Sequence, residues 1–245
     1  MARRASHATR LCSSHHRLSH APNLLNPSRS TSRAGCRAGQ SFDIFADMVA
    51  NRSVEFFETQ FQRQVRAHDF VLNPFEAAAL PYLTGRVLDL GCGLGNLSVA
   101  AARRGCEVVA VDASPTAIEH LSCIAREEKL RLTAVQSDIQ QFEVRETFDA
   151  VVAIGLLMFF PRQVALELLD VVQRAVHRGG CAVVTVLIEG TTFMDMFDGD
   201  RYCLFAPEGL EASFAGWTIL LSRVGEFAGP NATVKRFSTV IARKP

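Results

Sequence analysis

The sequence has no apolar run long enough to cross a membrane. Its longest, Ala150 to Phe160, has eleven residues, and a spanning helix needs about 20, so no membrane partner is expected. It also has no CxxC pair and no Cys/His spacing of the zinc kind. The seven cysteines (Cys12, Cys36, Cys92, Cys106, Cys123, Cys181, Cys203) are odd in number and scattered, so no metal is expected, and they read as mostly reduced core residues of a cytoplasmic protein. Acid is missing from residues 1–42, which hold seven arginines; the remainder carries 19 basic against 25 acidic residues, so the formal +1 of the chain hides a balance of −6. A net acidic globular part weighs against a nucleic-acid partner. No internal repeat is visible.

With 245 residues, 48% apolar and 21% charged, the composition is that of a globular protein of one sizeable α/β domain or two small ones. Residues 1–47 stand apart. Rich in Arg, Ser, His, Ala and Pro and without a periodic apolar face, they are expected to be a disordered leader or a mis-assigned start, with Met48 as the alternative first residue. An Arg- and Ser-rich, acid-free beginning is also the composition of an organellar transit peptide. Residues 48–245 are expected to form a single domain.

From Ser53 the pattern turns helical. Val54, Phe57, Phe61, Val65 and His68 to Phe70 recur at three and four residues, and a second helix is expected from Phe75 to Tyr82 behind Pro74, so that residues 53–82 form a helical lid. Strands are expected at Arg86 to Leu90, Glu107 to Val111, Arg131 to Gln136, Phe148 to Ile154 and Cys181 to Ile188. Helices fit between them at Gly95 to Arg104, Ser114 to Glu128 and Pro161 to His177. Apolar β-branched runs such as VVAVDA and AVVTVLI suit parallel strands covered on both faces. Trp217 to Arg223 and Val234 to Arg243, joined through Gly229-Pro230-Asn231, read as a terminal antiparallel pair. The fold expected is α/β: a Rossmann-like, doubly wound, mostly parallel seven-stranded sheet with a C-terminal antiparallel strand pair and helices on both faces.

The stretch VLDLGCGLG, Val87 to Gly95, carries the chemistry. A strand that ends in GxGxG and feeds a helix turns tightly and is expected to let a ligand reach main-chain N–H groups. Two acids at strand ends add to it. Asp112 closes the second strand, where a carboxylate can accept from both hydroxyls of a ribose. Asp138 follows the third. A nicotinamide dinucleotide is the alternative ligand, but its turn wants GxGxxG; here the third glycine, Gly95, comes one place early and Asn96 holds the usual site. Asp89, buried just ahead of the first glycine, would also repel a pyrophosphate and suits a cationic ligand instead.

Together VLDLGCGLG, VVAVDASP, AVQSDI and FDAVVAIGLLMFF, in this order and spacing, resemble the class I S-adenosylmethionine-dependent methyltransferases over about Phe56 to Arg243. The resemblance implies S-adenosyl-L-methionine as cofactor and a role for each residue. Gly91, Cys92, Gly93 and Gly95 would form the loop, with backbone offered to the methionine and ribose portions, and Asp89 would orient the amino group. Asp112, with Ala113 beside it, would hold the ribose, Asp138 and the Ile139 N–H would meet the adenine, and Ile154, Gly155 and Leu156 would line the wall beneath the methyl. Cys92 is expected to contribute backbone and volume, not its sulfur.

Methyl transfer from a sulfonium is an in-line displacement on an activated carbon, so positioning supplies much of the acceleration and no universal base is required. The acceptor must be read elsewhere. The segment DRYCLFAPEGLEASFAGWTILLSRVGEF resembles the tellurite-resistance methyltransferases. It departs from them where an arginine would stand, at Glu211 or Ala212, and where a histidine would follow the sixth strand, at Phe227 and Ala228. Those are the groups that would pair with a small oxyanion. Substrate-side candidates are His68, with Arg63 and Arg66 on the lid, and Arg201 and Tyr202 beside Cys203. The expectation is a small-molecule methyl acceptor and a monomer or homodimer. The alternative is a non-catalytic binder of S-adenosylmethionine or S-adenosylhomocysteine.

Overall fold

The computed structural model describes residues 52–245. The leader, Met48, Cys12 and Cys36 lie outside them. The elements follow in the order α1 (Arg52–Ala67), α2 (Pro74–Ala79), β1 (Arg86–Leu90), α3 (Asn96–Arg103), β2 (Glu107–Asp112), α4 (Pro115–Glu127), β3 (Leu132–Gln136), β4 (Phe148–Ile154), α5 (Arg162–Ala175), β5 (Val176–Leu187), α6 (Gly209–Ala212), β6 (Thr218–Ala228) and β7 (Val234–Arg243). The strands form one seven-stranded sheet in the order β3-β2-β1-β4-β5-β7-β6. β1 to β5 pair in parallel, and β7 lies antiparallel between β5 and β6. The fold is therefore the Rossmann-like, mostly parallel sheet with a C-terminal antiparallel pair.

The central strands β1, β4 and β5 are buried on both faces for most of their length, and the alternation of neighbouring residues shows why they are largely apolar. Leu88, Val151 and Val184 pack with Ala165, Leu169 and Val172 of α5 on one side. Val87, Val152 and Val183 pack with Leu97 of α3 and Ile118 and Leu121 of α4 on the other. Since strand side chains alternate, Asp89 points to the same side as Val87, toward α3.

Several boundaries differ from the sequence reading, the largest of them at α5 and β5, at β6 and at the second helix. Helix α5 stops at Ala175 because Val176 pairs with Phe148, and the Lys244 ammonium donates to the carbonyls of Gln173 and Val176 at 2.8 and 2.7 Å, closing the helix end. Strand β5 thus begins five residues before Cys181, with an irregularity in its pairing to β4 between Phe148 and Ala150. Strand β6 runs on to Ala228, paired with Val234. The second helix is shorter than Phe75 to Tyr82 and ends in a 3₁₀ turn over Leu80–Tyr82. Its start is strongly fixed: Asn73 Oδ1 accepts from the Phe75 and Glu76 N–H groups, and the Glu76 carboxylate accepts in return from the Asn73 N–H at 2.7 Å, a reciprocal cap. Among the described residues no helix is long and apolar enough to cross a membrane.

Candidate functional site

The site lies where β1 and β2 end side by side. Gly91, Gly93 and Gly95 all have positive φ, at 68°, 53° and 72°. Gly95 is the residue that precedes α3, and a Cβ on it would lie 2.5 Å from Leu121 Cδ1. At Gly91 a Cβ would meet Leu156 Cδ1 at 2.9 Å, so Leu156 packs directly on the loop.

The expectation that the loop presents N–H groups to a ligand is corrected by the hydrogen bonds. The Gly91 and Cys92 N–H groups both donate to the Val111 carbonyl at 2.8 and 3.1 Å, and the Gly95 N–H donates to the Cys92 carbonyl at 3.0 Å. The Gly93 N–H donates to Asp112 Oδ2 at 2.9 Å. The loop spends these donors on the fold because β1 and β2 run in register, which brings the Val111 carbonyl beneath it. Such a loop is a poor seat for a pyrophosphate, whose binding relies on unengaged N–H groups.

What it offers instead is negative charge. Asp89 is 5% exposed and accepts from Ser98 Oγ of α3 at 2.6 Å. Burial pushes its pKa up to about 7 against the help of that hydroxyl, and the neighbouring carboxylates Glu76 and Asp112 push the same way. Asp112 accepts from the Gly93 and Ser114 N–H groups, both at 2.9 Å. Its pKa is nevertheless raised, first by burial and in small part by Glu58. None of the ion pairs among the described residues involves Asp89 or Asp112. A buried carboxylate without a cation is costly unless a ligand completes it. Cys92, buried beside both acids, has its thiol pushed well above the usual range by burial and by their charge; it is a filler and no nucleophile.

The remaining predicted residues take different places. Asp138 is exposed and accepts from the Gln140 N–H at 2.9 Å, a turn bond, while the Ile139 side chain joins the core on the α5 side. Ala113 follows Asp112 at the start of the β2–α4 connection, its carbonyl accepting from Gln136 Nε2 at 3.5 Å. Ile154 and Leu156 are half-buried at the end of β4, and the Gly155 N–H donates to the Thr185 carbonyl at 2.8 Å. His68 is not brought to the loop. It caps the end of α1 with φ 54°, edge-on to Phe70, whose ring in turn stacks on His120 of α4. Arg63 and Arg66 are exposed. Arg201 is exposed too. Tyr202 stacks on Phe197 at 4.7 Å within a cluster of Met158, Leu187, Phe193, Met196 and Phe197, against which Phe56 and Phe57 of α1 also pack. Cys203 is buried, and its pKa is raised by burial.

Three contributors had no sequence signal of their own: Ser98, Glu76 and Glu58. The capping pattern Asn73 to Glu76 marks a helix start but not the proximity of Glu76 to Asp89. Phe61 of α1 lies against the loop, its Cζ 3.1 Å from where a Gly93 Cβ would stand.

Residues 87–180 match the family model described as a methyltransferase domain. Together with the sheet order and the acid-bearing glycine loop, this places that segment among the class I S-adenosylmethionine-dependent methyltransferases, with S-adenosylmethionine as cofactor. Within the class, the chain is similar to the probable S-adenosyl-L-methionine-dependent methyltransferase TehB of Haemophilus influenzae, 25% identical over 171 residues that make up 65% of this chain and 57% of that protein. The crystal structure of TehB from the same organism superposes with a TM-score of 0.63 at 21% identity, covering 77% of this chain and 67% of that one. A protein named hemagglutinin 1 from Eikenella corrodens is 27% identical over 170 residues, 65% of this chain and 55% of its own. The chain thus spans little more than half the length of these two curated relatives.

Proposed function

We propose that the chain transfers a methyl group from S-adenosyl-L-methionine to a small, apolar acceptor. The observation that carries the cofactor half is the set of carboxylates around a glycine loop whose N–H groups are already engaged. Such a site selects a ligand with a cation and hydroxyl donors over one with phosphates. The residues present fit the group: Asp89 would neutralise its ammonium, and Asp112, held in place by backbone N–H groups of the loop and of the β2–α4 connection, would accept from the ribose hydroxyls. Asp138 and the Ile139 N–H would receive the adenine, and Ile154, Gly155 and Leu156 the sulfonium end. When bound, the cofactor supplies an activated methyl carbon. The chain's part is to orient that carbon and keep water out, with the lid residues Phe57 and Phe61 covering the loop.

The acceptor half rests on the wall next to Leu156. Phe159 meets Phe57 at 5.1 Å and Phe197 at 5.3 Å, continuing to Tyr202, so the surface facing the lid is aromatic and methionine-rich. At the places where the tellurite-resistance subfamily would carry oxyanion-pairing groups, Glu211 accepts from Ser222 Oγ at 2.5 Å, and Phe227 packs on Phe75 and Phe237. Neither place itself carries a positively charged side chain to pair with an anionic acceptor. A thiol or another soft nucleophile that needs no strong base fits the wall, and a monomer or homodimer acting in the cytoplasm fits that reading.

The test is formation of S-adenosylhomocysteine with aryl and alkyl thiols, phenols, selenite, tellurite and RNA as acceptors. Turnover with thiols or another apolar acceptor is expected. Turnover with the oxyanions or RNA alone would refute the acceptor assignment, and cofactor binding without any turnover would support the binder.

A further inference from the structure

The lid helix carries a carboxylate that none of the roles above uses. Glu58 Oε2 accepts from Ser114 Oγ at 2.5 Å, and its other oxygen accepts from the Thr116 hydroxyl and from Gln62 Nε2 at 2.9 Å. Ser114 is the N-cap of α4, its oxygen accepting from the Ala117 N–H at 3.0 Å, and the Thr116 N–H also donates to Glu58. The carboxylate therefore closes on the positive end of a 13-residue helix, where negative charge is favoured. Burial raises its pKa, but the hydroxyl and amide donors outweigh that and hold it below the usual range.

The neighbours of Glu58 on α1 reach the rest of the site. Phe57 touches the acceptor wall at Phe159, and Phe61, one turn on, lies against Gly93. One turn of helix thus spans the acceptor wall, the glycine loop and the start of α4 beside Asp112. Past the helix, residues 68–73 have no regular structure, His68 is left-handed and Val71 is 77% exposed, which is where such a lid would turn. The like charge of Asp112, whose pKa Glu58 raises, opposes the closure and keeps it releasable.

We propose that Glu58 is the latch of this lid: its bonds to Ser114 and Thr116 hold α1 over the nucleoside end of the cofactor site, and their release governs entry of cofactor and exit of product. The proposal rests on the cofactor assignment above. It makes Glu58 a positioning residue, acting through the lid. A gate differs from a ligand group in its kinetics, because opening it speeds both association and dissociation.

The test uses the full chain with S-adenosylhomocysteine as probe and surface plasmon resonance for both rates. With Glu58→Gln, association and dissociation both rise about tenfold, from the loss of charge-assisted bonds, while Kd moves less than about threefold. Thr116→Val gives a smaller rise, and Glu55→Gln, on the exposed side of the same helix, changes neither rate. Unchanged rates in Glu58→Gln, or a faster dissociation alone, would overturn the latch. Trypsin cleavage after Arg63 and Arg66 in the ligand-free chain judges the lid independently: it quickens in Glu58→Gln if the latch exists, and an unchanged rate rejects it. Failure of the parent chain to bind the probe would instead sink the cofactor assignment, leaving the cleavage result to decide the latch.

Discussion

The two ends of the parallel strands treat their carboxylates in opposite ways. At the N-terminal end each acid has a cation. Arg86 pairs with Glu146 at 3.0 Å and with Glu107 at 3.6 Å, Arg131 with Glu107, and Asp149 with His177 at 2.5 Å while accepting from the Arg86 N–H at 2.7 Å. At the C-terminal end Asp89, Asp112 and Glu58 are met by hydroxyls, backbone N–H groups and the Gln62 amide, none of them charged. Asp149 accordingly has a lowered pKa, held down by the Arg86 N–H and then by His177, and Asp89 a raised one. One end is finished as a structure, while the other is short of positive charge, which a sulfonium and an ammonium would bring.

The contrast can be broken by substitution, most severely at Asp112. Asp112→Ala removes the acceptor of two ribose hydroxyls and should weaken S-adenosylhomocysteine binding about a thousandfold, at charge-assisted bond strengths of roughly 1.5–3 kcal/mol each; calorimetry with a loss under about tenfold would remove the ribose role. Next, Gly95→Ala forces a side chain into left-handed backbone and into Leu121. Chemical denaturation should show about 3 kcal/mol lost, and a loss under about 1 kcal/mol would mean that the loop has room.

The pH behaviour of the two ends sharpens the comparison. Asp89, with a pKa raised from 3.8 to about 7, takes up its proton more readily folded than unfolded. Its contribution to stability is therefore greatest below about pH 4 and falls as pH rises through about 7. Measured by thermal melting, Asp89→Asn should gain about 3 kcal/mol more stability at pH 8 than at pH 5, because each pH unit between 5 and about 7 costs the parent about 1.4 kcal/mol; an equal gain at both would place the charge in water. The smallest effect belongs to the other end. His177 has a pKa raised by Asp149 and the Arg178 carbonyl, so its stabilisation is present below the ordinary histidine range and is lost as pH rises through the raised value. The lowered Asp149 loses its share as pH falls through its own pKa, below the ordinary carboxylate range. Because the pair is about two-fifths exposed, solvent screens it, and His177→Gln should cost under about 1 kcal/mol at pH 6 and less at pH 8.

Much of this was legible from residue order. β1 and β4 begin and end where periodicity and β-branching place them, because strands buried on both faces admit few polar residues and Asp89 was conspicuous among them. Asp112, at the end of β2, stood out as a candidate in the same way. What could not be read depends on contacts between distant segments. The Val111 carbonyl consumes two loop donors only because β1 and β2 are in register. Glu58 and Glu76 sit on helices whose polar residues look alike in sequence, and only docking singles them out. His68 had the right chemistry, but α1 carries it along α4 toward His120 and away from the loop.

The central claim is that the carboxylate end is kept for a cationic ligand, and proton linkage at Asp89 measures it. S-adenosylmethionine is titrated into the full chain at pH 6.5 in two buffers of different ionisation enthalpy. Binding should release a fraction of a proton, since the ligand's ammonium favours the charged carboxylate, and the release should vanish in Asp89→Asn. No binding, or the same proton release in Asp89→Asn, would contradict it.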